Sequence, residues 1–407
     1  MHPRPLVSEG RNSRFSPGLG GGYNPALIFD TPRAKRNWSQ VSSSELFLPL
    51  DAVALDQIRR VLVIKLRNLG DVLLASPVVS VLKAQAPHIE VDALVYADTA
   101  DMLRDHPDLT ELHVVYRDWK QLGAWKRFKR EAQLISRLRQ RNYDLIVHLT
   151  EHVRGIWLAR LLHPRFSVAP DLRTRRYYRN SFTHRYPVIG GNRRHAVDIN
   201  LDALRRLGIY PEKSQRRLTL TVGASAESAA TQALARFQLA DRSFVLIHPG
   251  SRWFFKCWPP DRVAALCNAL VAVGTPVALV SGPDPLEQRL LSEVTGRLKS
   301  PLPSFPGTLS LKELAALIAR ARLFIGMDSA PMHIAAAMGT PTVALFGPSG
   351  DIEWGPWQVP HRIVTSLHPC RPCGRDGCGG GKRSECLEVI TPEQVLDAVR
   401  SLLEETA

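Results

Sequence analysis

Val61-Leu-Val-Ile-Lys-Leu-Arg-Asn-Leu-Gly-Asp71 is the stretch on which the fold turns. Val61–Leu66 is apolar except for Lys65 and rich in β-branched residues, which reads as a buried strand. Gly70 then permits a tight turn. From Asp71 to Gln85 the apolar residues follow helical spacing, with Pro77 either kinking the helix or starting its longer part. A buried strand running through a turn into a helix is the opening of a parallel α/β unit.

The same alternation continues outward. Ile89–Tyr96, Leu112–Tyr116 and Asp144–Leu149 read as strands, with a helical pattern over Ala124–Arg141 and another over His195–Leu207, closed by Gly208. The pattern then restarts. Helices are expected at Ser225–Leu239, Pro260–Val273, Leu311–Ala321 and Pro331–Met338, and strands at Phe244–His248, Val277–Val280, Leu323–Gly326 and Thr342–Phe346. Thr391–Glu405 is an amphipathic terminal helix, with Thr391 as N-cap, Pro392 at N1 and Gln394 placed for a capping box. The fold class is therefore α/β: two doubly wound, Rossmann-like units joined near residues 210–240, with a cleft between the C-terminal edges of their sheets.

The length of 407 residues suits two or three domains, and 44% hydrophobic with 22% charged residues is an ordinary globular composition. The 53 Lys and Arg against 38 Asp and Glu leave a net charge of +15, which favours anionic partners: nucleic acid, phosphorylated sugars or an acidic membrane face. No apolar run reaches the ~18–20 residues a membrane helix needs. The longest, Ala330 to Pro348, is broken by His333, Gly339 and Pro341. Met1 to Gly22 has no apolar core of the kind signal peptides carry, so a cytosolic location is expected.

Three segments carry candidate chemistry. Asp71, at the end of the first strand, faces the expected cleft as a general base or simply caps the next helix; local sequence leaves both open. His248-Pro-Gly-Ser-Arg-Trp-Phe-Phe-Lys-Cys-Trp258 is either an anion site, with Ser251, Arg252 and Lys256 near backbone N–H groups, or a solvated basic loop with its aromatics packed inward. In Phe324-Ile-Gly-Met-Asp-Ser-Ala-Pro-Met-His333, Asp328 and Ser329 follow a strand and Pro331 opens a helix, so N–H groups near Ser329 to Met332 would point at a ligand. His333 by itself reads as a packing histidine.

Together, in this order, the three segments resemble the lipopolysaccharide heptosyltransferases, the ADP-heptose-dependent branch of glycosyltransferase family nine, and most of all their heptosyltransferase III subgroup. The likeness covers about residues 59–405. It implies a GT-B fold: an acceptor domain over 58–222, a nucleotide-sugar domain over 223–390 and a C-terminal helix over 391–407. Residues 1–57, which it leaves unmatched, read from their Gly, Pro and scattered Arg without periodicity as a flexible basic extension. It implies transfer of L-glycero-D-manno-heptose from ADP-heptose to a sugar hydroxyl of the lipopolysaccharide inner core, with inversion. Asp71 is then the base, Lys256 meets the donor diphosphate beside Ser251, and Asp328 contacts the heptose. Ser329 and Ala330 hold phosphate through their amides, His333 joins the donor site, and Asp284 falls where the family binds the ribose. Extra aromatic bulk at Arg252–Phe255 leaves the placement of Arg252 open.

No Asp-x-Asp triplet, the usual clamp for a metal-bound sugar diphosphate, occurs in the chain. Lys256 and a helix N-terminus at Ser329–Met332 are expected to stabilise the leaving ADP without a divalent ion, so no cofactor and no catalytic metal are expected. Cys370, Cys373, Cys378 and Cys386 form a Gly/Arg-rich cluster that reads either as a structural zinc site or as reduced loop thiols. The arginines of 173–194, with no acid between them, point to acceptor binding by Arg173, Arg175, Arg176 and Arg179 and to a peripheral position on the anionic inner membrane. Two rivals are a different acceptor, such as a protein or another surface glycan, and, from another class, nucleic-acid binding. No recognised nucleic-acid motif supports the latter.

Overall fold

The structure, a computed structural model, describes residues 49–171 and 176–407. Arg173, Arg175 and most of the expected N-terminal extension lie outside the described residues. The expectation of a loose segment as far as residue 57 fails from residue 49 onward. Val53 and Ile58 are buried, Val53 N–H donates to Leu207 O, and Asp51 pairs with Arg206. Their apolar side chains extend the core.

Two six-stranded parallel sheets organise the chain. The first holds β1 (Arg60–Ile64), β2 (Glu90–Tyr96), β3 (Glu111–Val115), β4 (Leu145–His148), β5 (Phe166–Pro170) and β6 (His184–Tyr186), in the order β3-β2-β1-β4-β5-β6. The second holds β7 (Val245–His248), β8 (Val277–Ser281), β9 (Ser304–Pro306), β10 (Leu323–Met327), β11 (Thr342–Leu345) and β12 (His361–Val364). Its order, read from the far edge, is β9-β8-β7-β10-β11-β12. Both sheets thus share one doubly wound order, which reverses between β1 and β4 and between β7 and β10. Ligands bind outside the carboxyl ends of strands at such a reversal. The central strands are apolar and buried along nearly their whole length because helices cover both faces.

The two halves share core. Val72, Leu73 and Val95 of the first pack in one buried cluster with Leu246, Phe324, Met332 and Ile334 of the second. The expected helix over 71–85 is two helices, Leu69–Leu73 and Ser76–Gln85, and Pro77 opens the second. The terminal helix Pro392–Glu405 starts as expected: Thr391 N–H donates to Gln394 Oε1 at 2.9 Å, and Gln394 N–H returns to Thr391 Oγ1 at 3.4 Å. It packs on the second sheet, where Val395, Val399 and Leu402 are buried.

Candidate active site

At the two reversal points, the strand ends open into one cleft of about 740 Å³. The first half contributes the loop after β1. There Asn68 precedes the helix Leu69–Leu73, and Asp71 is its third residue, so its carboxylate turns back: Asn68 N–H donates to Asp71 Oδ2 at 3.4 Å. The other oxygen, Oδ1, lies 3.5 Å from Arg67 Nε. Asp71 therefore both supports the helix start and lines the cleft.

Gly70 is required by a close approach. A Cβ there would stand 2.7 Å from the His333 ring, which comes from the opposite half. His333 is buried at this seam and lines the cleft, and burial pushes its imidazole down to about 4, so it is neutral at physiological pH. Its Nδ1 has no hydrogen-bond partner.

The second half contributes three strand ends. After β7, His248 Nδ1 meets Gly250 O at 3.0 Å, and Ser251 is buried at the cleft wall. After β10, Asp328 stands before the helix Ala330–Ala337, and Lys256 Nζ lies 2.5 Å from its Oδ2. Pro331 has no N–H, and Met332 N–H donates to Ser329 O at 3.1 Å. Ser329 and Ala330 are thus the residues whose amides stand at the cleft-facing turn of that helix. Arg252 bridges the halves, donating from Nη1 to Asn68 Oδ1 at 3.1 Å.

After β8 the structure differs from expectation. Asp284 is exposed, accepts from Leu286 N–H at 2.8 Å as a helix cap, and does not line the cleft. The carboxylate that does is Glu287, one turn on. Its Oε2 accepts from Gly282 N–H at 2.9 Å and stands 3.2 Å from His248 Nε2. Burial would raise its carboxyl, but His248 and Gly282 outweigh burial and hold it below the ordinary range. A Cβ on either Gly250 or Gly282 would come within 2.9 Å of that oxygen. The paired glycines after adjacent strands were the available signal. Asp284 was expected there only from the family resemblance.

Three further residues were not singled out from sequence. Lys65 is buried beneath Asp71, donating to Asn200 Oδ1 at 2.8 Å and Leu149 O at 3.3 Å. Burial pushes its ammonium down to about 8 against the pull of Asp71. Glu353 is a third cleft carboxyl. Burial raises it, the Asn192 N–H opposes, and the charges of Asp328 and Asp71 push it further up. Asn192 ties the halves together: its Oδ1 accepts from Ile352 N–H and Glu353 N–H at 2.8 and 2.9 Å, and its Nδ2 donates to Asp351 at 3.2 Å. Nothing in the local sequence around Glu353 or Asn192 announces these contacts.

Of the four expected acceptor arginines, the two that are described do not line the cleft. Arg176 and Arg179 are exposed on the short helix Arg176–Arg179, and Arg179 lies 3.9 Å from Asp171. All six cysteines are free, and Cys386 is buried while Cys373 lines the cleft. Among the described residues, no three of the loop thiols come within 4.8 Å of one another. The three-residue group that meets this spacing is Asp92, Glu111 and His113. That group already holds a fixed cation: Arg141 donates to Asp92 at 2.7 Å and to Glu90 at 2.7 Å, and Tyr143 OH donates to Asp92 at 2.7 Å. It lies at the starts of β2 and β3, on the sheet edge away from the cleft.

Comparison with known proteins accords with this geometry. The family model for glycosyltransferase family 9 (heptosyltransferase) matches residues 131–382. Lipopolysaccharide heptosyltransferase 3 of Escherichia coli strain K12 is 34% identical over 348 residues, covering 84% of this chain and 97% of that protein. A protein of the same name from Escherichia coli is 36% identical over 301 residues, 71% of this chain and 83% of its own. Among solved structures, the family 9 glycosyl transferase of Veillonella parvula DSM 2008 superposes with a TM-score of 0.74 at 25% identity, covering 87% of this chain and 99% of that one. The E. coli ADP-heptose heptosyltransferase II shares the fold at a TM-score of 0.66 and 20% identity, over 86% of this chain and 100% of its own. With two Rossmann-like sheets facing one cleft in the GT-B manner, and with this family match over more than half its length, the chain is a glycosyltransferase that belongs to family 9, the heptosyltransferases.

Proposed function

We propose that this enzyme transfers heptose from ADP-heptose to a sugar hydroxyl of the lipopolysaccharide inner core, inverting the anomeric carbon. The observation that carries the reading is one cleft with Asp71 on its first wall and the Lys256–Asp328 pair beside a helix N-terminus on its second. Asp71 takes the proton from the acceptor hydroxyl as that oxygen attacks the anomeric carbon. The bond from that carbon to the phosphate oxygen breaks on the opposite face. The charge that develops on ADP is met by Lys256 and the amides of Ser329 and Ala330, which are in place before the reaction starts. General-base help of this kind contributes ~10²–10⁴-fold.

Asp328, paired with Lys256, is placed to accept from a heptose hydroxyl while the lysine holds the diphosphate. His333 lines the same donor wall as a neutral ring. Glu287 takes the ribose role for which Asp284 is wrongly placed. Residues 58–222 serve the acceptor and 223–390 the donor. Arg176 and Arg179 flank the acceptor side, where they would draw an anionic acceptor by long-range attraction rather than by contact in the cleft. No divalent ion is required. Among the described residues no helix is long and apolar enough to cross a membrane. The enzyme works from the cytoplasmic face of the inner membrane as a peripheral protein. Family membership displaces nucleic-acid binding as a reading of the positive charge.

The test is transfer from ADP-heptose to a set of truncated core acceptors, with the linkage and anomeric configuration of the product identified. Transfer to one core hydroxyl with inverted configuration at the heptose anomeric carbon is expected. Transfer only to a peptide or to another glycan would replace the acceptor. Retention of configuration would remove the single-displacement step.

A further inference from the structure

The helix Ala124–Gln140 has only Leu134 and Leu138 buried, so most of its surface faces solvent. Its first turns nevertheless carry Trp125 and Phe128, which are 76% and 63% exposed and stack with ring centroids 6.0 Å apart. Between and beside them stand Lys126, Arg127, Lys129 and Arg130, all exposed. On the neighbouring helix Val153–Leu162, Trp157 is 57% exposed. Single exposed apolar residues are unremarkable. A stacked aromatic pair set among four cations within six residues is an organised surface.

Its position is fixed by topology. In a parallel sheet every strand leaves at the same edge, so the chain following β3 begins at the edge that carries Asp71. Arg117 shows this directly: its guanidinium donates to Asp98 at 3.0 Å and to Arg67 O at 2.9 Å, and both of those residues line the cleft. The helix that carries the aromatic turn begins seven residues later, on the rim of the half that carries Asp71. The charge is one-sided. Residues 117–141 hold nine Lys and Arg against Asp118 and Glu131, and Glu131 is engaged by Arg154.

We propose that the first two turns of this helix dock the enzyme on an anionic bilayer. Trp125 and Phe128 enter the headgroup layer while Lys126, Arg127, Lys129 and Arg130 meet lipid phosphates. The inference rests on the reading of a lipid-anchored acceptor and names the surface that delivers it: docked there, the rim faces the membrane and an anchored sugar reaches Asp71 without leaving the bilayer. A bilayer suits this patch better than a protein partner does. Among the described residues no acid pairs with these four cations, and although Phe128 borders a groove of about 700 Å³ on its C-terminal side, Trp125 and the cations stand clear of it. Amphipathic aromatic rings flanked by Lys and Arg are what an interfacial helix requires.

The experiment is sedimentation of the full chain with vesicles of mixed phosphatidylglycerol and phosphatidylcholine, and with phosphatidylcholine alone. Binding is expected only to the anionic vesicles and should weaken as salt rises. Trp125→Ser with Phe128→Ser should lower the partition coefficient by ~10-fold or more, and a Gln replacement of the four cations by ~10²-fold or more with a flattened salt dependence. Turnover on a soluble, delipidated acceptor should stay unchanged in both variants. Undiminished vesicle binding in both would overturn the proposal. So would equal loss of soluble turnover, which would mark a folding defect, or a change of oligomeric state with vesicle binding intact, which would mark a protein interface. If vesicle binding follows the patch but no heptose is transferred to any core acceptor, the docking stands and the proposed acceptor falls.

Discussion

Asp328→Asn is expected to tighten ADP while leaving ADP-heptose nearly unchanged, a divergence that follows from the short pair at the donor wall. Lys256 Nζ lies 2.5 Å from Asp328 Oδ2, so an incoming diphosphate has to share an ammonium already engaged by a carboxylate. Through that shared ammonium, the carboxylate and a phosphate oxygen would stand ~5 Å apart, repelling by ~3 kcal/mol at an effective dielectric of ~20 and by under ~1 kcal/mol in water. Removing the charge while keeping the shape should therefore tighten ADP by ~1–2 kcal/mol, or ~5- to 30-fold. Lys256→Ala does the opposite. It removes a charge-assisted contact of ~1.5–3 kcal/mol and leaves the carboxylate facing the diphosphate, so ADP should weaken by ~10²-fold. Adding Asp328→Asn to that variant should recover part of the loss. ADP-heptose should lose ~10-fold relative to ADP in Asp328→Asn, because an amide replaces the charged acceptor of a sugar hydroxyl. Calorimetric titration of both ligands against the four proteins, without acceptor, reads all of this. If Asp328→Asn weakens ADP as much as Lys256→Ala does, the carboxylate merely orients the lysine and the sugar contact is refuted.

Other outcomes are equally specific. Asp71→Asn should leave ADP affinity near wild type and lower kcat by ~10²-fold or more, and near-normal turnover in a folded variant would remove Asp71 from the mechanism. Asn192→Ala loses three hydrogen bonds across the seam, at 2.8, 2.9 and 3.2 Å, from a residue at φ +60, and should destabilise by ~2–4 kcal/mol in urea titration; an unchanged midpoint would mean the seam opens in solution. Activity should survive EDTA, and a loss restored by one added divalent ion would refute the metal-free reading. For His333 the folded ring titrates near 4 and the unfolded one near ~6.5, so the unfolded chain binds the extra proton between those values. Its contribution is therefore complete above about pH 6.5 and is lost as pH falls toward 4, by ~2–3 kcal/mol, and His333→Gln should flatten that part of the stability profile.

The fold was legible where burial writes itself into sequence. β1, β4, β7 and β10 are apolar runs because helices cover both faces, and β1, β7 and β10 lead into the cleft residues that marked them: Asp71, His248 and Asp328. Of the four edge strands, β3 was legible and the other three were not. His184–Tyr186, Ser304–Pro306 and His361–Val364 are short and polar because neighbouring strands fix them and little core depends on them. At the site, Asp284 was expected at the ribose only from the family resemblance, and locally it is a helix cap beside a proline. The Glu287 role depends instead on two glycines from different strands leaving room for one oxygen. Glu353 and Asn192 matter only through residues some 160 positions apart, a relation that no window of sequence contains.

The two readings of Asp71, base and helix cap, turn out to be compatible, because a carboxylate has two oxygens. Oδ2 receives the Asn68 N–H, and that bond fixes the direction in which the group faces. Oδ1 faces Arg67, whose side chain is 58% exposed at 3.5 Å, and a pair that open to water is worth ~1 kcal/mol or less. An acceptor hydroxyl can displace Arg67 at small cost, whereas displacing the backbone bond would unwind the start of the helix. With Asp71 as the proposed base, the capping bond would hold one oxygen so that the other is aimed. Asn at this position keeps the aim and lacks the proton acceptor, which is why Asp71→Asn separates the two roles within one side chain.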